Sequence, residues 1–134
     1  MLLAALCCAR PVGAQNEPKG FVCSFAAGTS SSYENGAFKS QAPAPLSFEI
    51  ADIDLEHQTA RLVTDGHEKP GGLKIVRAIN ANHYLEVVNE GFLNLTTIYD
   101  KDPASGRHPA VHSRHLGVLG QPVFAQYSGF CTEK

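Results

Sequence analysis

Tryptophan is absent from this 134-residue chain, and its one methionine is Met1. None of its four cysteines forms a C-x-x-C pair, which removes the ligand spacing of ordinary structural zinc sites. Lys and Arg never run together and the formal net charge is -2, so the basic stripe of a nucleic-acid-binding protein is missing and no nucleic-acid partner is expected. No apolar run reaches the about 20 residues that a bilayer-spanning helix needs. Helical periodicity is missing too: no long stretch places apolar residues at i, i+3, i+4 and i+7. Gly71-Gly72 is followed by neither the Lys-Ser/Thr pair nor the helix of a phosphate loop.

What is present is the composition of one globular domain, with 43% hydrophobic and 18% charged residues. A domain of this length buries roughly two thirds of the surface its unfolded chain exposes. Leu2 to Ala9 reads LLAALCCA. It is too short to span a bilayer, suits the apolar region of a signal peptide, and is followed by the small residues Val12, Gly13 and Ala14. Residues 1–14 are therefore expected to be a signal peptide, its basic opening segment lying upstream of Met1, and residues 15–134 a single exported domain without an integral membrane segment. Loss of Arg10 with the signal would bring the formal charge from -2 to -3.

Cys7 and Cys8 fall inside that signal. Cys23 and Cys131 remain, one near each end of an exported domain, and an even pair so placed reads as a disulfide. The compartment this implies is periplasmic or secreted, in a bacterium.

Short segments rich in Val, Ile, Phe, Tyr and Thr recur between Gly, Pro, Asn and Asp, the signature of an all-β sandwich or barrel. Strands are expected over residues 20–25, 46–53, 59–64, 73–79, 83–88, 92–99, 110–116 and 123–131. Between them come a long Ser/Ala/Pro-rich segment from Ala26 to Pro45 holding an Asn35-Gly36 tight turn, a polar loop from Asp65 to Gly71, a turn at Ala81-Asn82, a hairpin turn at Asn89-Glu90-Gly91, and a second polar loop from Asp100 to Pro109. About eight strands in an antiparallel meander can close into a barrel and lose their edges. Closure would set the last strand beside the first, where the two cysteines sit. A two-sheet sandwich is the alternative.

The densest polar cluster runs from Arg107 to His115 and holds three of the six histidines. Residues an even number apart on a strand share a face, so His112 and Arg114 point one way and Ser113 and His115 the other. His108 joins His112 only if the strand continues through Pro109. His108, His112, Arg114 and His115 form the candidate ligand or metal cluster, although a metal needs three or four converging ligands. Ser113 beside His115 does not make a triad, and no catalytic residue is assigned. Glu49, Asp52, Asp54 and Glu56 read as a solvated acidic run. Asn94-Leu95-Thr96 matches a glycosylation acceptor.

The plan resembles the small calycin-type, lipocalin-like barrels, which carry one small ligand in the barrel mouth. Where lipocalins have Gly-x-Trp on the first strand, this chain has Gly20-Phe21-Val22, so the resemblance is one of architecture. Val22 to Phe25 (VCSF), Val111 to His115 (VHSRH) and Tyr127 to Cys131 (YSGFC) are together similar to small exported alphaproteobacterial proteins, a resemblance that implies no activity. The expected function is thus an exported module binding a small apolar or amphipathic ligand, with Leu46, Phe48, Leu85, Val87, Leu93 and Leu95 as wall residues. The alternatives are a protein-protein module such as a hydrolase inhibitor, contacting its partner through the two long loops, and His-dependent metal binding. No cofactor is specified.

Overall fold

The structure is a computed structural model that describes residues 17–69, 71–86, 92–118 and 120–134. The expected signal peptide, the Asn89-Glu90-Gly91 turn and the wall residue Val87 lie outside the described residues.

The described residues form ten strands and no helix: β1 Phe21–Glu34, β2 Ala37–Gln41, β3 Leu46–Asp54, β4 Thr59–Thr64, β5 His67–Glu68, β6 Leu73–Ala78, β7 Ala81–Glu86, β8 Phe92–Tyr99, β9 His108–Val118 and β10 Gln121–Glu133. All pairings are antiparallel, in the order β10-β9-β8-β7-β6-β4-β3-β1, and β10 also pairs with β1. Eight strands therefore follow one another round a ring, as expected of an all-β meander. β2 extends β1 on its other edge and β5 hangs on β4.

The seam of the ring is its longest ladder after β9–β10. β1 and β10 pair from Phe21 with Glu133 to Ser32 with Val123, and Cys23 lies directly opposite Cys131. The two are joined by a disulfide, with their Cα atoms 4.0 Å apart, across 108 positions of sequence. The register slips between Ser24 and Ala27, so Phe25 and Ala26 face the single residue Gly129. This is a β-bulge, and it dictates the glycine: a Cβ at Gly129 would collide with the Ser24 carbonyl oxygen.

The bulge also reverses which residues of β1 look inward. Phe21, Cys23 and Phe25 enter the core with Phe48, Ile50, Ile75, Tyr84 and Ile98. Beyond the slip, Ser31 is buried on the outer side instead. It bonds Ser40 of β2 at 2.7 Å and pairs with Phe124 of β10, beside the exposed Tyr33–Phe38–Phe124 ring cluster.

Several boundaries differ from the sequence reading. β1 runs on to Glu34 through the Ser/Ala/Pro-rich segment, of which only a short strand or turn around Tyr33 to Phe38 was expected, because a Ser/Thr/Ala strand lacks the apolar alternation by which strands are recognised. The Asn35-Gly36 turn is where it was expected, with positive φ at both residues, as a type I′ hairpin requires. Asp65-Gly66 makes the same turn and inserts the short β5 into the expected polar loop. The β6–β7 turn comes earlier than expected, at Ile79-Asn80, with Asn80 at φ 67. β9 begins at His108, and Pro109 lies just beyond the last β8–β9 pair, Ile98 with Ala110, a ladder end where its missing N–H is tolerated.

Candidate functional site

Because β9 continues through Pro109, His108, Ala110, His112 and Arg114 all face the ring interior, while His115 lies on the outer side, opposite Phe124 and Leu93. The four-residue cluster read from the sequence is therefore divided. His108 stands at the level of the disulfide, opposite Cys131, with its ring against Phe21. Its Nδ1 donates to the Tyr99 carbonyl at 2.8 Å and its Nε2 meets Glu133 at 3.0 Å. Lys101 and then His108 hold the Glu133 carboxyl below its ordinary range. His112 and Arg114 stay together, two and three inward positions further along the strand. No group of three or more His, Cys, Asp or Glu with metal-binding geometry occurs among the described residues.

His112 is buried, with Phe48, Phe25 and Tyr127 around its ring at centroid distances of 5.1, 5.7 and 6.0 Å. Arg114 has donors only, so its Nε–H, 3.3 Å from His112 Nε2, makes that nitrogen the acceptor. The imidazole proton then sits on Nδ1 and is donated to Thr96 Oγ1 at 2.8 Å. This is a neutral tautomer fixed by its neighbours. Burial first, and the Arg114 charge second, lower the His112 pKa to about 4.

Two cross-strand rows cover the inner wall here. Tyr84, Thr96, His112 and Tyr127 are successive partners on β7, β8, β9 and β10; Glu86, Asn94, Arg114 and Ala125 form the next row towards the mouth. Burial pushes the Tyr84 phenol up to about 12, so it stays a neutral hydroxyl. Asn94 Nδ2 donates to Glu86 Oε2 at 2.9 Å. Arg114 reaches towards the other side, its guanidinium 5.7 Å from the Tyr127 ring centre.

These rows bound a cavity of about 190 Å³, whose opposite wall is Leu46, Phe48, Leu62 and Leu73, with Lys69 and Thr64 at its edge. It lies beside the weakest join of the ring, where β4 and β6 share only the pairs Thr59–Lys74 and Ala60–Leu73. A second cavity, about 230 Å³, opens at the other end of the ring near Phe21, Ile53 and His108, with the Arg77–Glu17 ion pair at its edge. Tyr84 borders both cavities.

Leu46 and Phe48 line the cavity as expected. Leu85, Leu93 and Leu95 do not, because Tyr84 and Thr96 occupy the inner positions of β7 and β8 and alternation sends their neighbours outward; Leu93 is 44% exposed. The inward polar residues Glu86, Asn94 and Thr96 were missed as a site. For Asn94 and Thr96 the one signal was the Asn94-Leu95-Thr96 triplet, whose first and third residues line the cavity. Three carboxylates of the acidic run are paired at the surface: Asp54 with His57, Asp52 with Arg61, Glu49 with Lys134. Comparison with family profiles, curated proteins and solved structures finds no match to this chain.

Proposed function

We propose that this chain is an exported small-molecule-binding module that holds one amphipathic ligand in the cavity beneath Arg114. The observation that carries this reading is a cavity with one polar and one apolar wall. Glu86, Asn94, Thr96, His112 and Arg114 line one side of it, and its other side is leucine and phenylalanine. Pockets that bind small molecules combine apolar walls with a few convergent polar groups in this way. At about 190 Å³ the cavity is below the roughly 300–1,000 Å³ of drug-sized sites, so the ligand is small. The Cys23–Cys131 bridge supports an oxidising compartment, periplasmic or secreted, and no described helix is long and apolar enough to cross a membrane. Native mass spectrometry of the protein purified from its own host tests the reading. A co-purifying mass that is lost in an Arg114→Ala, Asn94→Ala variant is expected; recovery of the bare chain alone, under conditions that keep it folded, speaks against it.

A second reading, a protein-protein module, is favoured by one feature: the β1–β2 hairpin presents Phe38 at 58% and Tyr33 at 38% exposure beside Phe124 of β10. Retention of a specific protein from periplasmic extract by the wild type, and its loss with Phe38→Ser, would support it.

A further inference from the structure

The outer surface of the ring divides by charge. On β3 and β4 it carries Glu49, paired with Lys134, and Arg61, joined to Asp52 and Glu68. On β8, β9, β10, β1 and β2 the outward positions hold no Asp, Glu, Lys or Arg among the described residues. The charges of the β1–β2 hairpin lie on its other side, where Glu34 pairs with Lys39. Of the ten large hydrophobic side chains left exposed among the described residues, seven stand on this uncharged face. A contiguous face of that kind marks an interaction surface. Its strands are about 4.8 Å apart and β10 runs about 34 Å from Pro122 to Thr132, so five strands present about 800 Å². Each partner in a standard stable interface contributes about 800 Å².

The face is not flat. At one end Tyr33, Phe38 and Phe124 pack ring on ring, with centroids 5.0 and 5.9 Å apart, and Phe38 is 58% exposed. They form a knob. At the other end the small residues Ala26, Ala27, Ser128 and Gly129, at the β-bulge, floor a hollow of about 750 Å³. Phe130 stands at its rim with the Arg107 guanidinium 3.9 Å over its ring. Knob and hollow lie on either side of the exposed pair Thr29–Gln126. A two-fold axis that runs in the plane of the face past that pair, crosswise to the line from knob to hollow, seats each copy's knob in the other's hollow. An isologous contact requires this self-complementarity, and without charges on the face no like charges meet across it. We propose that the face binds a second copy of this chain in this arrangement, with Phe38 of each copy entering the other's hollow over Ala27 and Ser128. The partner for the exposed aromatics is then the chain itself rather than a foreign protein. The face lies outside the ring, so the proposal does not depend on what the cavity holds.

Sedimentation equilibrium of the folded, oxidised chain tests this. The wild type is expected to pass from monomer to twice that mass as its concentration rises through the micromolar range. Phe38→Asp puts a charge on the knob and Ala27→Arg puts one in the hollow. Both positions are exposed, and each variant is expected to weaken dimerisation at least tenfold. Mixed in equal amounts, the two are expected to recover it, because in the mixed dimer the introduced charges meet at one contact and the native Phe38 and Ala27 at the other. Ile79→Asp, at a position 88% exposed and off the face, is expected to change nothing. If Ala27→Arg does not fold, the contrast between Phe38→Asp and Ile79→Asp decides. A monomer throughout the range overturns the proposal, as does a dimer that Phe38→Asp and Ala27→Arg leave intact, or a mixture no more dimeric than its parts. A monomeric chain that instead binds phosphatidylcholine vesicles or a foreign protein through Phe38 overturns it too, since the face then has another occupant.

Discussion

In the folded chain the His112 imidazole is neutral, giving its Nδ1 proton to Thr96 and accepting from Arg114 at Nε2. In the unfolded chain it titrates near 6.5, and in the fold near 4. Between those values the unfolded state binds the extra proton, so stability is fully present above pH 6.5 and is lost as the pH falls towards 4. At about 1.36 kcal/mol per pKa unit, the loss below pH 4 is on the order of 3 kcal/mol. Urea denaturation at pH 7 and pH 4.5 measures it. The wild type should lose much of that amount, whereas His112→Gln, which keeps a polar side chain and cannot titrate, should start less stable at pH 7 and lose clearly less on acidification. Equal acid losses in the two proteins would remove His112 from this role. The prediction also bears on binding, because protonating His112 sets a second cation beside Arg114 and breaks the bond that orients the guanidinium.

At the scale of the element, Gly129 and the β4–β6 join make opposite predictions. A Cβ at Gly129 meets backbone on the other side of the bulge, Phe25 Cα at 2.8 Å and the Ser24 carbonyl carbon at 2.9 Å. Backbone cannot swing away as a side-chain end can, so Gly129→Ala should cost at least about 3 kcal/mol. Gly117, on the neighbouring strand, has nothing within 4 Å of the same position, and Gly117→Ala should stay within about 0.5 kcal/mol. Paired thermal melts compare them directly. β4 and β6 share two residue pairs against ten in the β1–β10 ladder, so the amides of Leu73 and Ala60 should exchange with deuterium well before those of Cys23 and Tyr127. A β4–β6 join as protected as β1–β10 would contradict this. Strand existence was legible in the sequence here and strand parity was not. His83 to Val88 and Phe92 to Tyr99 alternate leucine with polar residues, and alternation alone does not say which set faces inward. The fold is decided by Tyr84 and Ile98, large side chains that fill the ring only from the positions they share with Asn94 and Glu86. For the same reason half of the histidine cluster was legible: the facing of His112 and Arg114 follows from spacing, whereas the inclusion of His108 depended on how Pro109 is accommodated at a ladder end.

For the molecule as a whole, the decisive contact joins the first strand to the last. That closure could be read from two cysteines and a meander of strands, because an antiparallel chain of alternating turns has nowhere else to hide its outer edges. The position of the cavity could not, since it depends on where the ring is poorly joined, a matter of register between β4 and β6. The disulfide closes a loop with a sequence separation of 108, for which the chain-entropy model gives roughly 4.7 kcal/mol as an upper figure and natural cases about 2–5. Yet the ladder that the bridge staples continues for two pairs on one side of Cys23–Cys131 and seven on the other, and Phe21 to Phe25 pack on Phe48 and Ile50 irrespective of the sulfur bond. The bridge should therefore act chiefly on the unfolded chain. Replacing both cysteines, Cys23→Ala with Cys131→Ala, is expected to lower the urea midpoint by an amount equivalent to about 2–5 kcal/mol while the far-ultraviolet circular dichroism at zero urea keeps its β-sheet form. A variant that shows no sheet at zero urea, or that melts at the wild-type midpoint, would mean that the seam depends on the sulfur bond far more, or far less, than its ladder implies.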